Sequence, residues 1–460
     1  MVIARRSGGP TKQSQERDGF AALAMTFFLL YQAGLLAFGA AYLALRLLRG
    51  QRLPGLRERL ARYSPELERR LAGLRAPIWL HAVSVGEVLA AVPLVEELRA
   101  RFPGRGWVVS TVTPAGREVA ERNLKDGRTE LVYLPWDLPS IVRRAILRIR
   151  PSLFLCLETE LWPALFRELG RAGVPVAVVN GRISPATYGR YLLARPFMER
   201  SLSPVALFLA QSPQDARRLA AIGAAKDRLV VTGNLKWDLP AQQPSDELSP
   251  KRLRALLGLA EGDLLWAAGS THPGEERLLL QVYIALKSEV PRLKLLLAPR
   301  HPERAAAVGQ EIRAAGLSPV LRSEMGRTAP NGQGVVVLDT LGELAAFYGA
   351  ADVVFVGGSL VPHGGHNLVE PAALARPILA GPHLHNFQSV SDALRQASGM
   401  IVTRSAEELR QALRRLFRDP LQAQALGRRA RAVFEENQGA VRRTADLIEL
   451  RWSRELTLVS

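Results

Sequence analysis

Short, uninterrupted apolar runs punctuate the chain from Pro77 onward. IWLHAV, WVVSTV, LVYLP, SLFLCLE, VPVAVVN, ALFLA and RLVVTG carry almost no polar alternation. Runs of that kind are buried on both faces, as parallel strands covered by helices are. Between them, stretches such as EVLAAVPLVEELRARF and PAGREVAERNL have helical periodicity. KWDLPAQQPSDELSP, Lys236 to Pro250, breaks the rhythm with prolines and few apolar residues, and reads as an interdomain linker. Strand-like runs then resume with DLLWAAG, LKLLLAP, GVVVLD, DVVFVGG and PILAGP, separated by helical patterns such as GEERLLLQVYIALKSEV. After about Ser405 the pattern is helical and Arg-rich to the end. Two alternating halves of similar size predict an α/β chain with two Rossmann-like domains facing a cleft.

One earlier run is of another kind. Gly19 to Leu45, GFAALAMTFFLLYQAGLLAFGAAYLAL, is uncharged and exceeds the roughly 20 residues needed to span a bilayer. It is too long for the core of a signal peptide. Arg46, Arg49, Arg52, Arg57 and Arg59 follow it, whereas Arg5, Arg6, Lys12 and Arg17 before it are offset by Glu16 and Asp18. The positive-inside rule then places the body of the protein in the cytoplasm. A helix lying in the membrane interface is the alternative. The expected segments are a tail (1–18), a membrane anchor helix (19–48), an N-terminal Rossmann-like domain (49–235), a linker (236–250), a C-terminal Rossmann-like domain (251–420) and a helical segment (421–460).

Composition sharpens the partner class. Lys and Arg number 61 against 43 Asp and Glu, a net charge of +18. That favours polyanions: nucleic acid, an anionic membrane face or a phosphorylated substrate. Aromatics are only 6% and are not interleaved with the basic residues, which argues against an RNA-binding module. The single cysteine, Cys156, allows neither an internal disulfide nor a cysteine-based zinc site.

The unusual residues fall where strands run into helices, which is where open α/β sheets bind ligands. In GGSLVPHGGHNLVEPAA, Gly357, Gly358, Ser359, Gly364 and Gly365 follow a strand and precede a helix near Asn367. Exposed backbone N–H groups and a helix N-terminus suit a phosphate. Asn367 and Glu370 have the spacing of a capping box, and Glu370 is equally placed to accept from ribose hydroxyls. His363, His366, His383 and His385 could be metal ligands, but only Glu370 stands near enough to support them, so imidazoles beside a phosphate are the simpler reading. Arg300, His301 and Arg304 follow another strand, where guanidinium groups recognise phosphate or base, or serve as surface charge opening a helix. Ser270 and Thr271 offer hydroxyls, and Leu341 to Leu344 could line a nucleobase. In the first half, Glu87 opens the helix after HAVSVG, either compensating the helix dipole or acting as a base. Glu158 and Glu160 end a strand and would share a face if extended. Lys236 stands at the hinge and Arg182 in NGRIS is a further anion contact.

SVGE, STVTPAG, LETELWP, NGRIS, GNLKWD, APRHPER and GGSLVPHGGHNLVEPAA, in this order, resemble the 3-deoxy-D-manno-octulosonic acid (Kdo) transferases of Gram-negative bacteria. The resemblance runs from about Arg46 to the C-terminus; residues 1 to 18 have no counterpart. It implies the GT-B fold, an N-terminal transmembrane helix and an inverting transfer of Kdo from CMP-Kdo to the lipid A precursor at the cytoplasmic face of the inner membrane. It further implies Glu87 as general base, with Glu158 and Lys236 stabilising the transition state. Pro299 with Arg300, Leu341, Gly342 and Glu343, and Asn367, Leu368, Val369 and Glu370 match the segments that bind CMP. No metal and no cofactor beyond the donor is expected. Two rivals remain at this stage: a GT-B transferase using a UDP-sugar, and a non-catalytic, membrane-bound polyanion-binding protein.

Overall fold

A computed structural model describes residues 12–50, 53–158, 160–239, 248–325 and 334–457. Residues 1–11 of the expected tail, most of the linker and Thr159 lie outside the described residues. Two compact units divide the chain: Met1–Leu235 with Gly439–Ser460, and Lys236–Gln438.

In the first unit seven parallel strands form one sheet: β1 (Ile78–His81), β2 (Trp107–Thr111), β3 (Thr129–Tyr133), β4 (Leu153–Leu157), β5 (Val176–Gly181), β6 (Val205–Ala210) and β7 (Leu229–Val231). Their order is β3-β2-β1-β4-β5-β6-β7, so the strand sequence reverses between β1 and β4. β1, β2, β4 and β5 are buried at every position, which is why their sequences run apolar without alternation. Two core layers flank the sheet, one including Trp79, Phe154 and Phe208, the other including Ile78, Leu80 and Leu155. The second layer is completed from far along the chain by Ala440, Val441, Ala445, Ile448 and Trp452 of the helix Ala440–Thr457.

The second unit repeats the plan: β8 (Leu264–Thr271), β9 (Leu293–Pro299), β10 (Ser318–Leu321), β11 (Gly334–Val337), β12 (Val353–Val356), β13 (Ile378–Ala380) and β14 (Met400–Val402). All pairs are parallel, in the order β10-β11-β9-β8-β12-β13-β14, with the reversal between β8 and β12. The pattern of apolar runs missed β10 and β14, the two edge strands. Both are short and mostly half-exposed, so neither makes a continuous apolar run. The segment expected over 421–460 divides: Pro420–Asn437 packs with the second unit, while Ala440–Thr457 returns to the first.

The early apolar run forms a helix, Lys12–Leu48, as its composition predicts. Among the described residues, however, no helix is long and apolar enough to cross a membrane. The helix is docked on the first unit. The Tyr31 hydroxyl donates to Asp137 Oδ2 at 2.9 Å and the Gln32 amide to the Asp137 carbonyl at 3.1 Å. Phe27 and Tyr31 lie against the Phe197 ring, Arg167 covers Phe28, and Trp136 stands beside Gly39. Leu29, Leu30, Leu36, Phe38, Leu45 and Leu48 of the same helix remain exposed.

Candidate functional site

Both sheets reverse strand order at a point where unusual residues emerge. In the first unit β1 leads into the helix Val85–Arg101, and β4 into Glu158. Ser84 caps the helix, accepting the Glu87 N–H at 3.4 Å. The Glu87 carboxylate reaches back, accepting the Val83 N–H at 2.7 Å and the Ser84 hydroxyl at 3.3 Å. The cap is what aims the carboxylate. Thr113 steadies the same loop through the Val83 carbonyl at 3.2 Å while capping its own helix at Gly116.

Burial, with the Glu158 carboxylate next in effect and Glu160 adding to it, raises the Glu87 carboxyl to about 8. Burial and Glu158 likewise raise Glu160 to about 7. Three carboxylates thus act on one another in this unit. Glu158 and Glu160 are not extended together as expected. The strand ends at Leu157, and Glu158 takes a left-handed turn, φ 52°, with its N–H still donated to Val179. A non-glycine residue in that region is strained, a feature that clusters at active sites. His81, at the end of β1, is buried against Ser110 through Nδ1 at 3.0 Å, and burial lowers it to about 4, so it stays neutral.

In the second unit the reversal between β8 and β12 brings together His272 and the loop after β12. Gly357 must be glycine: a Cβ there would stand 2.6 Å from the Ser270 carbonyl oxygen. The loop amides expected to await an anion already have one. Glu275, fully buried at the start of the helix Glu275–Lys287, accepts the N–H groups of Gly358 (2.7 Å), Ser359 (3.0 Å), Leu360 (2.9 Å) and His272 (3.0 Å). The Gly357 N–H is donated to Gly269. This corrects the expected role of Gly357, Gly358 and Ser359: the amides of Gly358 and Ser359 serve a carboxylate of the protein itself, and that of Gly357 pairs with a backbone carbonyl.

What the loop presents instead is imidazole. His272 Nε2 and His366 Nε2 are 2.8 Å apart, and the His363 ring stacks on His272 at 4.1 Å between centroids. Gly364 and Gly365, both at positive φ, let the loop fold back against His385, Asn386 and Leu384. Asn367 bonds both the Val369 N–H (2.9 Å) and Glu370 (3.0 Å), so Glu370 meets the Asn367 side chain rather than the backbone N–H that a capping box would use. Leu368 and Val369 are buried in the core beneath. Burial raises the Glu370 carboxyl, while Asn367 and then Arg300 act in the opposite direction. Arg300 is exposed just past Pro299 at the end of β9. Leu341 is exposed, Gly342 turns at φ 84°, and Glu343 is paired with Arg322 at 2.8 Å. The Lys236 ammonium is buried in this unit, donating to the Asn386 carbonyl at 3.3 Å beside the Phe387 ring. Among the described residues no group of three or more His, Cys, Asp or Glu is arranged to hold a metal ion.

The sequence reading left three working residues unassigned. Glu275, Asp137 and the pairing partner of His366 depend on neighbours far along the chain. Asp137 is buried and caps the helix Pro163–Arg171 through the Ala164 and Leu165 N–H groups at 2.9 and 2.7 Å.

Comparison with known proteins shows what the chain is similar to. A family model described as 3-Deoxy-D-manno-octulosonic-acid transferase (kdotransferase) matches residues 54–239. The chain is 37% identical to a 3-deoxy-D-manno-octulosonic acid transferase of Haemophilus influenzae, over 81% of this chain and 86% of that one. It is 36% identical to the transferase of that name from Bordetella pertussis, over 85% and 90%. Among solved structures, the MnaA–UDP co-structure of S. aureus has a TM-score of 0.53 at 13% identity, covering 83% of this chain and 98% of that one. That likeness concerns the fold alone, a GT-B-like pair of parallel sheets.

Proposed function

Because the chain belongs to the 3-deoxy-D-manno-octulosonic acid transferase family, we propose that it transfers Kdo from CMP-Kdo to the lipid A precursor, with inversion, in lipopolysaccharide biosynthesis. The observation that carries the chemistry is Glu87: a capped, buried carboxylate at the strand-order reversal whose carboxyl is raised to about 8. A base of that strength near neutral pH suits removal of a proton from a hydroxyl. In this reading Glu87 takes the proton of the acceptor hydroxyl as its oxygen attacks the anomeric carbon, and CMP departs with the electron pair of the broken bond. No covalent intermediate is needed. Glu158 and Lys236 favour the charge distribution of the transition state. Pro299, Arg300, the 341–343 turn and the 367–370 segment hold CMP, with Arg300 and the loop histidines, rather than the amides of Gly358 and Ser359, meeting its phosphate.

The proposal extends to where the enzyme works. The exposed apolar side of the Lys12–Leu48 helix, with exposed Leu193 flanked by Arg190 and Arg195 in the same unit, suits the cytoplasmic face of an anionic inner membrane, where a lipid acceptor resides. The decisive experiment incubates purified protein with CMP-Kdo and a tetra-acylated lipid A precursor and weighs the lipid by mass spectrometry. Added Kdo supports the reading; transfer only from a UDP-sugar, or none, overturns it.

A further inference from the structure

The His272–His366 contact has a chemical consequence. Two imidazole Nε2 atoms at 2.8 Å must share a single proton, one ring donating and the other accepting. The rings are parallel within 2°, and Gly358 gives them room: a Cβ there would lie 2.9 Å from the His366 ring and 3.3 Å from that of His272. The surroundings are cationic or neutral. Arg300, Arg304, His301 and His363 face the pair, and His385 packs against Gly364 on the same loop. The neighbouring anions are engaged elsewhere: Glu275 by four amides, Glu276 by Thr271 and Arg304, Glu370 by Asn367.

We propose that this pair opens on the phosphate of an incoming nucleotide and takes one proton from solvent, so that both ring N–H groups donate to it and nucleotide binding is coupled to proton uptake. The inference rests on the nucleotide reading above and adds His272, and the proton, to it. With the site empty, burial and the surrounding cations hold His272 to about 4 and His366 to about 3, so a second proton is excluded at neutral pH. A phosphate anion, singly charged in CMP-Kdo and doubly charged in CMP, opposes that local field, and an opposite charge within about 4–6 Å favours the charged imidazole. Once both Nε2 atoms carry a hydrogen they can no longer bond each other. The 2.8 Å contact then gives way to two bonds to phosphate oxygen. Release of the nucleotide returns the proton and restores the contact.

The test is calorimetry of the full chain with CMP at pH 7.5, in two non-phosphate buffers of low and high ionisation enthalpy. Uptake of about one proton per CMP is expected, with affinity falling by about threefold to tenfold between pH 7.5 and 8.5. His272→Asn and His366→Asn, each checked for an unchanged melting transition, should bind CMP more weakly, without uptake and with little pH dependence. CMP binding without uptake by the unaltered protein overturns the proposal while leaving the nucleotide reading intact. Uptake undiminished in both variants overturns it too, since the proton then resides elsewhere. No CMP binding at all overturns the nucleotide reading and this inference with it.

Discussion

Glu87 is held between two demands: its cap fixes where it points, and its burial resists its ionisation. A carboxyl that ionises near 8 in the folded chain, against 4.5 for an ordinary glutamate, binds its proton more firmly folded than unfolded. Its contribution to stability is therefore lost as pH rises from about 4.5 towards 8, because the unfolded chain releases the proton earlier. Activity runs the other way. As a base it must be ionised, so kcat/KM should climb with pH along a limb centred near 7 to 8, a value belonging to the coupled carboxylates together. Glu160→Gln removes one nearby charge and should shift that limb to lower pH, which a pH–rate profile reads directly. Glu87→Gln should lower kcat by about 10²- to 10⁴-fold with CMP affinity retained. Its melting temperature should also vary less with pH between 5 and 8.5 than that of the parent.

Among the elements, the loop after β12 depends on one side chain for its shape. Glu275→Gln would keep the size but turn an amide N–H₂ towards backbone donors, leaving buried N–H groups unsatisfied at about 1–3 kcal/mol each. A loss of at least about 2 kcal/mol in denaturant unfolding of the second unit is expected. Gly381→Ala should be at least as harmful, because its Cβ would stand 2.2 Å from the Ser359 carbonyl, which is backbone and cannot swing aside. These elements also show what the sequence could and could not convey. The fully buried strands were legible because burial on both faces writes itself as a continuous apolar run. β10 and β14 were not, since an edge position relaxes that demand. Glu87, Arg300 and the glycine loop stood out because they interrupt the pattern just after strands. Glu275 did not: it looks like one more acidic residue in a first helical turn, and the amides of 358–360 that define its role come from a distant loop. The contact between His272 and His366 was hidden for the same reason, although His366 belongs to a motif that the sequence itself singles out and His272 directly follows Thr271.

At the scale of the whole molecule, the first helix is the element on which the proposed membrane setting rests. A spanning helix would be surrounded by lipid on all sides, whereas the one in place spends Tyr31 and Gln32 on Asp137 and leaves Leu29, Leu30, Leu36 and Leu48 exposed. Flotation with vesicles containing anionic lipid should recover the protein. Leu36→Glu combined with Leu30→Glu should reduce recovery severalfold while leaving the melting temperature unchanged, and undiminished recovery would point to another attachment. The end of the chain carries a different consequence. Val441, Ala445, Ile448 and Trp452 complete a core layer begun by β1 and the Val85–Arg101 helix, and Arg101 meets Asp446 and Glu449 at 2.8 and 2.7 Å. During synthesis the first unit therefore waits, one flank bare, until residues 440–452 clear the ribosome, while the whole second unit is made in between. A nascent chain stalled short of residue 440 should recruit holdase chaperones to that flank, and no amount of time on the ribosome would let it finish folding.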